Sequence, residues 1–177
     1  SSHWAKQSIE FAFIHDLFKG IGNNRFDPNG LMTRAMFVTV LGRLHGADPA
    51  LYGGTSFNDV KAGEWYSPFV EWAYRNKIVL GDGKGSFNPD MGITRQEMCV
   101  ILERYIKFAE INLQETTEMK KFQDADKISG WAKSSVEFIV KTGLMQGDNK
   151  NFFNPGAYTT RAEVATVYKN FIQKSIN

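Results

Sequence analysis

Three arginines are the first candidates for binding chemistry, because each directly follows a threonine and lies 30 residues after a tryptophan. A guanidinium group carries a planar fork of N–H donors that matches a carboxylate. A tryptophan ring has a flat apolar face and one N–H donor at its edge. The repetition at one spacing points to a shared role for these residues, which are Trp4 with Arg34, Trp65 with Arg95, and Trp131 with Arg161.

This spacing belongs to an internal repeat, in which one sequence unit occurs three times. Between the tryptophan and the arginine, no copy needs a gap to match the other two. We predict copy one at residues 1–46, copy two at 47–113 and copy three at 114–177, with copies two and three including their leading linkers. Positions that keep one residue type throughout are Glu10, Glu71 and Glu137; Gly20, Gly81 and Gly147; Phe26, Phe87 and Phe153; Pro28, Pro89 and Pro155; and Thr33, Thr94 and Thr160.

Composition restricts the class of protein. The chain of 177 residues has a formal charge of only +2, whereas nucleic-acid binding usually needs a concentrated basic surface. No apolar run reaches the roughly 18 residues that a membrane span needs. The single cysteine, Cys99, falls in an apolar helical pattern and is interpreted as a core residue. Each copy alone would bury little surface, so we expect the three copies to share one core.

Each copy is expected to form a helix, a loop and a second helix. Apolar residues at helical spacing predict the first helix at residues 4–18, 65–79 and 131–145. The repeated glycine that follows, such as Gly81 in copy two, is expected to end this helix with a positive φ. A loop rich in Gly, Asn and Asp comes next and ends in Phe-Asp-Pro or Phe-Asn-Pro, which is a turn signal.

The second helix is expected to begin at the threonine of each Thr-Arg pair. In copies two and three a glutamate follows three residues later, as in a capping box, whereas copy one has Met36 at that place. The helix bodies are strongly apolar, and a central three-helix bundle with one helix from each copy is the simplest way to bury them. The predicted fold is therefore all-α, with three helix-loop-helix repeats around a pseudo-threefold axis. The capping-box pairs are Thr94–Glu97 and Thr160–Glu163.

Together these motifs resemble the surface-layer homology (SLH) domain of bacterial cell-surface proteins, and the resemblance covers nearly the whole chain. The matching elements are Phe-x-Asp, Trp-Ala, a glycine-bearing loop, Phe-x-Pro and Thr-Arg-Ala-Glu, arrayed in three copies. The resemblance implies a three-pronged all-helical prism on the outside of the bacterial cell. It also implies non-covalent anchoring to secondary cell wall polysaccharide, often through a pyruvylated amino-sugar end. Copy one departs from the pattern because it lacks the Phe-x-Asp element.

In this family, ligand grooves lie between adjacent repeats. They use the Thr-Arg motif, an aromatic residue, a loop glycine and an acidic residue. The resemblance therefore implies three grooves, which are Arg34 with Asp59 and Trp65, Arg95 with Asp124 and Trp131, and Arg161 with Trp4, the last without an acidic member.

The expected ligand chemistry follows from these residue types. The arginine fork suits the carboxylate of a pyruvate ketal, and the tryptophan ring suits the apolar face of a pyranose. An arginine at the start of a helix also lies at the positive end of the helix dipole, which favours an anion. The aspartates can accept from sugar hydroxyls. Further candidates for ligand contact are the loop glycines Gly20, Gly81 and Gly147 and the loop lysines Lys84 and Lys150.

Other roles for the same residues stay open. Each arginine can instead pair with a repeated glutamate, each tryptophan can be a packing anchor, and Asp59 and Asp124 can cap the next helix. A protein–protein assembly module without glycan binding would show an exposed apolar stripe. We expect no enzyme activity, because the repeated glutamate occurs once per unit and the three histidines all fall in copy one. We also expect no cofactor, no metal, since the loops fail the EF-hand ligand spacing, and a monomeric isolated module.

Overall fold

The computed structural model describes residues 3–15, 18 and 26–176, and in this part of the chain the regular elements are helices. It contains no strand there, only three isolated β-bridges. The prediction of an all-α fold is confirmed. None of the described helices is long and apolar enough to cross a membrane. The six α-helices are α1 (Lys6–Ile14), α2 (Arg34–His45), α3 (Ser67–Arg75), α4 (Arg95–Phe108), α5 (Lys133–Lys141) and α6 (Arg161–Ser175).

The second helix of each copy begins where its threonine cap predicts. In α4, Oγ1 of Thr94 accepts from the N–H of Glu97, and the Glu97 carboxylate accepts from the N–H of Thr94 at 2.9 Å. The same capping box begins α6. In α2, Thr33 caps the N–H of Met36 at 3.2 Å without a returning carboxylate. Both predictions, two capping boxes and one single cap, are confirmed.

The first helix of each copy is shorter than its apolar pattern predicts. In copy two, α3 ends at Arg75 and Lys77 then takes a φ of +58°. In copy three, α5 ends at Lys141 and Gly143 has a φ of +71°. The apolar residues that follow are buried as loop residues, and periodicity alone does not separate these from helical ones.

Gly81 has the predicted positive φ of +74°, but neither Gly81 nor Gly147 ends a helix, so their predicted role as helix stops was wrong. A Cβ added to Gly81 would lie 2.5 Å from Cε1 of Phe57. One added to Gly147 would lie 2.6 Å from Cε1 of Phe122. These positions need glycine because the phenylalanine of Phe-x-Asp packs directly on the loop backbone. Gly20 lies outside the described residues.

A closed ring of backbone hydrogen bonds joins the three copies just before α2, α4 and α6. The N–H of Met32 donates to the carbonyl of Thr159 at 2.9 Å, and that of Thr159 donates to Ile93 at 3.0 Å. The N–H of Ile93 donates to Met32 at 2.9 Å, which completes the ring. Each copy thus supplies one donor and one acceptor, as the pseudo-threefold arrangement requires.

Below this ring, α2, α4 and α6 form the predicted central bundle. The rings of Phe37 and Tyr168 lie 5.4 Å apart and join α2 to α6, and the Tyr168 hydroxyl donates to the Phe37 carbonyl. Tyr105 joins α4 to α6 through Phe171 at 5.9 Å and to α2 through His45 at 5.8 Å. Aromatic contacts thus join all three central helices.

Each shorter helix packs on a central helix of a different copy. Helix α3 of copy two lies on α2, α5 of copy three lies on α4, and α1 of copy one lies on α6. The three copies are therefore interlocked, and their described buried apolar residues form one shared core. The boundaries at residues 46/47 and 113/114 stay predictions.

Candidate ligand-binding grooves

Groove one is a cleft of about 340 Å³ to which all three copies contribute. Copy one supplies Arg34 at the start of α2. Copy two supplies the loop around Gly81 and a face of α4 that includes Glu97 and Arg104. Copy three supplies Trp131, which lies just before α5. A guanidinium group, a carboxylate and an indole ring thus line one cleft.

Groove two is a cleft of about 230 Å³ at the equivalent place one copy further on. Its arginine is Arg95, its α6 face includes Glu163 and Asn170, and its indole is Trp4. Copy three contributes the loop that contains Gln146. The two clefts therefore repeat one arrangement, with arginine, glutamate and tryptophan in common.

The grouping of arginine and tryptophan differs from the predicted one. Arg34 shares a groove with Trp131, and Arg95 shares one with Trp4. The cause is the interlocked packing, because the helix that follows each tryptophan lies on the central helix of the preceding copy. Trp65 lines neither groove. All three indoles are largely exposed, at 67% for Trp4, 54% for Trp65 and 59% for Trp131, so they are not buried packing anchors.

Each repeated arginine holds the loop of the following copy. The Nε atom of Arg34 donates to the Phe87 carbonyl at 2.8 Å, and the guanidinium lies 5.0 Å from the centre of the same phenylalanine ring. The other two arginines repeat both contacts, since Arg95 donates to Phe153 at 2.7 Å and Arg161 to Phe26 at 2.8 Å. These side chains therefore have a structural role whatever they bind.

The outer nitrogens of the three arginines meet three different partners. Nη1 of Arg34 lies 2.7 Å from Oε1 of Glu97. Nη2 of Arg95 donates to the Gln146 carbonyl at 2.8 Å. Arg161 is only 5% exposed, its Nη1 lies 3.9 Å from the sulfur of Met36, and burial lowers its pKa although Asp27 opposes the shift.

The repeated glutamates are not the partners of these arginines. Each pairs instead with a basic residue four positions away on its own helix. The inter-copy carboxylate for Arg34 is the capping-box residue Glu97, which the sequence marks only as a helix-start residue. The pairs within helices are Glu10 with Lys6, Glu71 with Arg75 and Glu137 with Lys141.

The first-turn amides of the central helices are already bonded. The N–H of Arg34 donates to the Met91 carbonyl at 2.9 Å, and that of Ala35 donates to Pro89 at 3.0 Å. Equivalent bonds are made at the starts of α4 and α6. A ligand anion therefore finds no open N-terminus on α2, α4 or α6, contrary to the expectation from the helix dipole.

The two predicted ligand aspartates support the turns that carry the repeated phenylalanines Phe87 and Phe153. Asp59 accepts from the N–H groups of Phe87 and Asn88 at 2.8 and 2.7 Å. Asp124, which is 3% exposed, accepts from Phe153 and Asn154, both at 2.8 Å. The side chains of Asp59 and Asp124 therefore cap no helix, and neither residue lines groove one or two. Their oxygens instead bind the backbone amides of Asn88 and Asn154, which both have a positive φ.

The loop lysines are exposed, and their side chains line neither groove. Their backbone N–H groups donate to a loop aspartate, that of Lys84 to Asp82 and that of Lys150 to Asp148. In both loops a second backbone amide, that of Ser86 or Phe152, is the main reason that the pKa of the aspartate is lowered. Among the described residues, no group of three metal-ligating side chains comes together.

Two groove residues were missed by the sequence reasoning. Arg104 and Asn170 occupy the same place on α4 and α6, nine residues after Arg95 and Arg161. The position is not constant among the copies, so a search for repeated residue types passes over it. The sequence could have indicated this position through its spacing from the repeated arginine, since residues at the same spacing in two copies take equivalent places in the repeat.

A comparison with protein families identifies the repeat. The family model described as the S-layer homology domain matches residues 1–36, 56–99 and 121–165, one segment in each predicted copy. The chain is 35% identical over 99% of its length to an amylopullulanase of Thermoanaerobacterium thermosulfurigenes. It is 28% identical over 97% of its length to the surface-layer 125 kDa protein of Lysinibacillus sphaericus. It is also 28% identical over 88% of its length to a cellulosome-anchoring protein of Acetivibrio thermocellus.

The chain spans a small part of each relative, namely 9%, 14% and 35% of their lengths. Enzymes, surface-layer proteins and an anchoring protein thus share this segment, while their remaining lengths differ. The S-layer relatives confirm the predicted location at the bacterial cell surface. The family model matches one segment in each copy, and the three helical copies close around a ring of backbone hydrogen bonds. The chain therefore belongs to the S-layer homology domain family, whose members anchor proteins to the cell surface.

Proposed function

We propose that the chain anchors proteins by binding secondary cell wall polysaccharide, at its pyruvylated amino-sugar end, in the grooves between copies. The observation that carries this proposal is the repeated pairing of an exposed indole with an arginine across grooves one and two. An indole that the core does not need is free to stack on the apolar face of a sugar ring. The cleft volumes suit one or two sugar residues at a chain end.

The proposed contacts follow the observed grouping. In groove one, Trp131 stacks on the sugar and Arg34 lines the cleft beside the Gly81 loop. In groove two, Trp4 and Arg95 are placed in the same way. The pair Trp65 and Arg161 forms a weaker third site, because Met36 stands where the other grooves have a glutamate. In this proposal Asp59, Asp124 and Gly147 shape the grooves without contacting the ligand, and Lys84 and Lys150 attract the anion from the loop surface.

Calorimetric titration with a short synthetic amino-sugar glycan, with and without its terminal pyruvate ketal, tests the proposal. We expect binding of the ketal form. Trp131→Ala should weaken that binding by about tenfold or more, as stacking contacts of about 1–3 kcal/mol imply. Trp65→Ala is the comparison variant and should weaken binding less, since this exposed indole lies outside both grooves and belongs to the weaker third site. If parent protein binds neither form and also fails to bind intact polymer, the glycan proposal is wrong.

We expect the chain itself to lack catalytic activity, because the enzymes among its relatives are many times longer than the matched segment. In those proteins the catalytic part would lie elsewhere, with this module holding it at the wall. An assay of the isolated chain on starch, cellulose and xylan tests this expectation. Turnover that persists after repurification and is lost in a groove variant would contradict it.

A protein–protein assembly role has one supporting observation. Phe13 and Ile14, which are consecutive residues at the end of α1, are 72% and 77% exposed. Light scattering at rising concentration tests this alternative against the monomer that we expect. Self-association that Phe13→Ser abolishes, together with failure to bind glycan, would favour assembly over wall binding.

A further inference from the structure

On their central-helix faces, grooves one and two differ at a single charged position, and groove one also has the loop carboxylate of Asp82. Helix α4 places Arg104 in groove one, and α6 places Asn170 at the equivalent place in groove two. The other side chains of chemical interest, namely the arginine, the glutamate and the indole, are the same in both. Any difference in ligand charge preference should therefore arise mainly here.

In groove one, the repeated arginine is not the cation that is available to a ligand. The charge of Arg34 is compensated by Glu97 at 2.7 Å, and its Nε is bonded to a carbonyl. Arg104 makes no hydrogen bond or ion pair with another side chain in the described part of the protein. Its acidic neighbour in sequence, Glu103, takes its hydrogen bonds from Ser135 and Lys107.

Arg104 is half-buried, so a carboxylate bound there would be partly shielded from water. Asp82, the other acidic residue of groove one, accepts from two amides of its own loop with Oδ1. The five N–H donors of Arg104 thus form an uncommitted carboxylate receptor in the cleft.

Among the residues described, groove two offers a ligand a carboxylate without a paired cation. Asn170 is neutral, and Arg95 already donates to the carbonyls of Phe153 and Gln146. Oε2 of Glu163 accepts from Thr160, and within the described ranges no ion pair joins this carboxylate to Arg95. An acidic ligand would meet an uncompensated carboxylate here, whereas a hydroxyl or an acetamido group would meet suitable acceptors and donors.

We propose that groove one is selective for the acidic, ketal-bearing glycan end through Arg104, whereas groove two binds the same sugar without requiring the acid. This inference rests on the proposed glycan function. The two grooves would then differ in specificity for the same polymer. Groove one would bind the ketal-bearing terminus, and groove two would also bind unmodified sugar. The repeated arginines then mainly position loops, and the variable position sets the charge preference.

Calorimetry on single-groove proteins tests the inference. Both proteins carry Trp65→Ala to remove the weaker third site. Trp4→Ala then leaves groove one as the site under test, and Trp131→Ala leaves groove two. In the Trp4→Ala background we expect the ketal form to bind about tenfold or more tightly than the plain glycan, as a charge-assisted hydrogen bond implies. Arg104→Gln should abolish that preference, and Arg104→Lys should restore part of it. In the Trp131→Ala background both forms should bind about equally, and Asn170→Arg should create a ketal preference.

The failures are distinguishable. If Arg104→Gln keeps the full ketal preference, or if Asn170→Arg creates none in a folded protein, the inference is overturned while the glycan function stands. If the parent binds neither glycan form, both are overturned. Thermal unfolding by circular dichroism establishes that each variant is folded, and Asn170→Arg provides a gain of function that unfolding cannot mimic.

Discussion

The Nη1 atom of Arg34 lies 2.7 Å from Oε1 of Glu97, so the residue that begins α2 is bonded to the residue that caps α4. The other oxygen of Glu97 closes the capping box with Thr94. One carboxylate thus stabilises a helix start and joins two copies. In the third copy-to-copy junction the same place is taken by Met36.

We expect Arg34→Ala to lower the free energy of unfolding by about 1.5–3 kcal/mol, because it removes hydrogen bonds to Glu97 and to the Phe87 carbonyl. Urea unfolding followed by circular dichroism measures the change. Arg104→Ala is the matched control and should change stability by about 0.5 kcal/mol or less, since it breaks no bond within the described residues. Equal losses in the two variants would contradict the structural role of Arg34.

We expect Met36→Glu to stabilise the protein by about 1 kcal/mol. The new carboxylate would complete the box begun by Thr33 and would lie beside the guanidinium of Arg161, which is now 3.9 Å from the Met36 sulfur. Met36→Gln separates the two contributions, because the amide can complete the box but carries no charge. A thermal unfolding midpoint that falls in Met36→Glu would show that the third junction does not accept the second copy's arrangement.

We expect Asp124→Asn to lower the free energy of unfolding by about 1–3 kcal/mol. Both oxygens of Asp124 accept from backbone N–H groups, and an asparagine would place an N–H₂ against one of them. Glycan affinity of the variant, measured where it is still folded, should stay close to that of the parent. A folded Asp124→Asn that has lost binding would instead return this residue to the ligand site. Asp59→Asn repeats the test in copy two, where the equivalent aspartate is less buried.

Acid should destabilise the fold through two carboxylates. Burial alone raises the pKa of Glu71 and of Glu103, but hydrogen bonds from Arg75 and Ser56, and from Lys107 and Ser135, outweigh it and lower both below the ordinary 4.5. Since the folded pKa is the lower one, their stabilisation is present above that ordinary value and is lost as the pH falls through the folded pKa.

The double variant Glu71→Gln/Glu103→Gln should therefore be less stable than the parent at neutral pH. Its free energy of unfolding should also fall less between about pH 6 and pH 3.5. Urea titrations across this range measure both quantities. If the free energy of unfolding fell equally with pH in parent and variant, other groups would be responsible for the loss of stability in acid.

The sequence by itself determined the elements and their number. Thr94 with Glu97 and Thr160 with Glu163 predicted the starts of two central helices, because a capping box is a local interaction within four residues. The tryptophan–arginine spacing of 30 residues predicted three equivalent units, and apolar helix bodies predicted the bundle. These features depend on neighbours in sequence, which pattern and spacing record directly.

Only the tertiary structure decided which residues meet. Trp131 shares a groove with Arg34 because α5 packs on α4, so the predicted partner Trp65 is displaced by one copy. The apolar pattern beyond Arg75 looks helical, yet those residues are buried as loop because they pack against the core. Asp124 looked like a ligand residue, but its oxygens satisfy amides 29 and 30 positions away. Such pairings depend on how three interlocked copies close into a ring, and no local pattern records that closure.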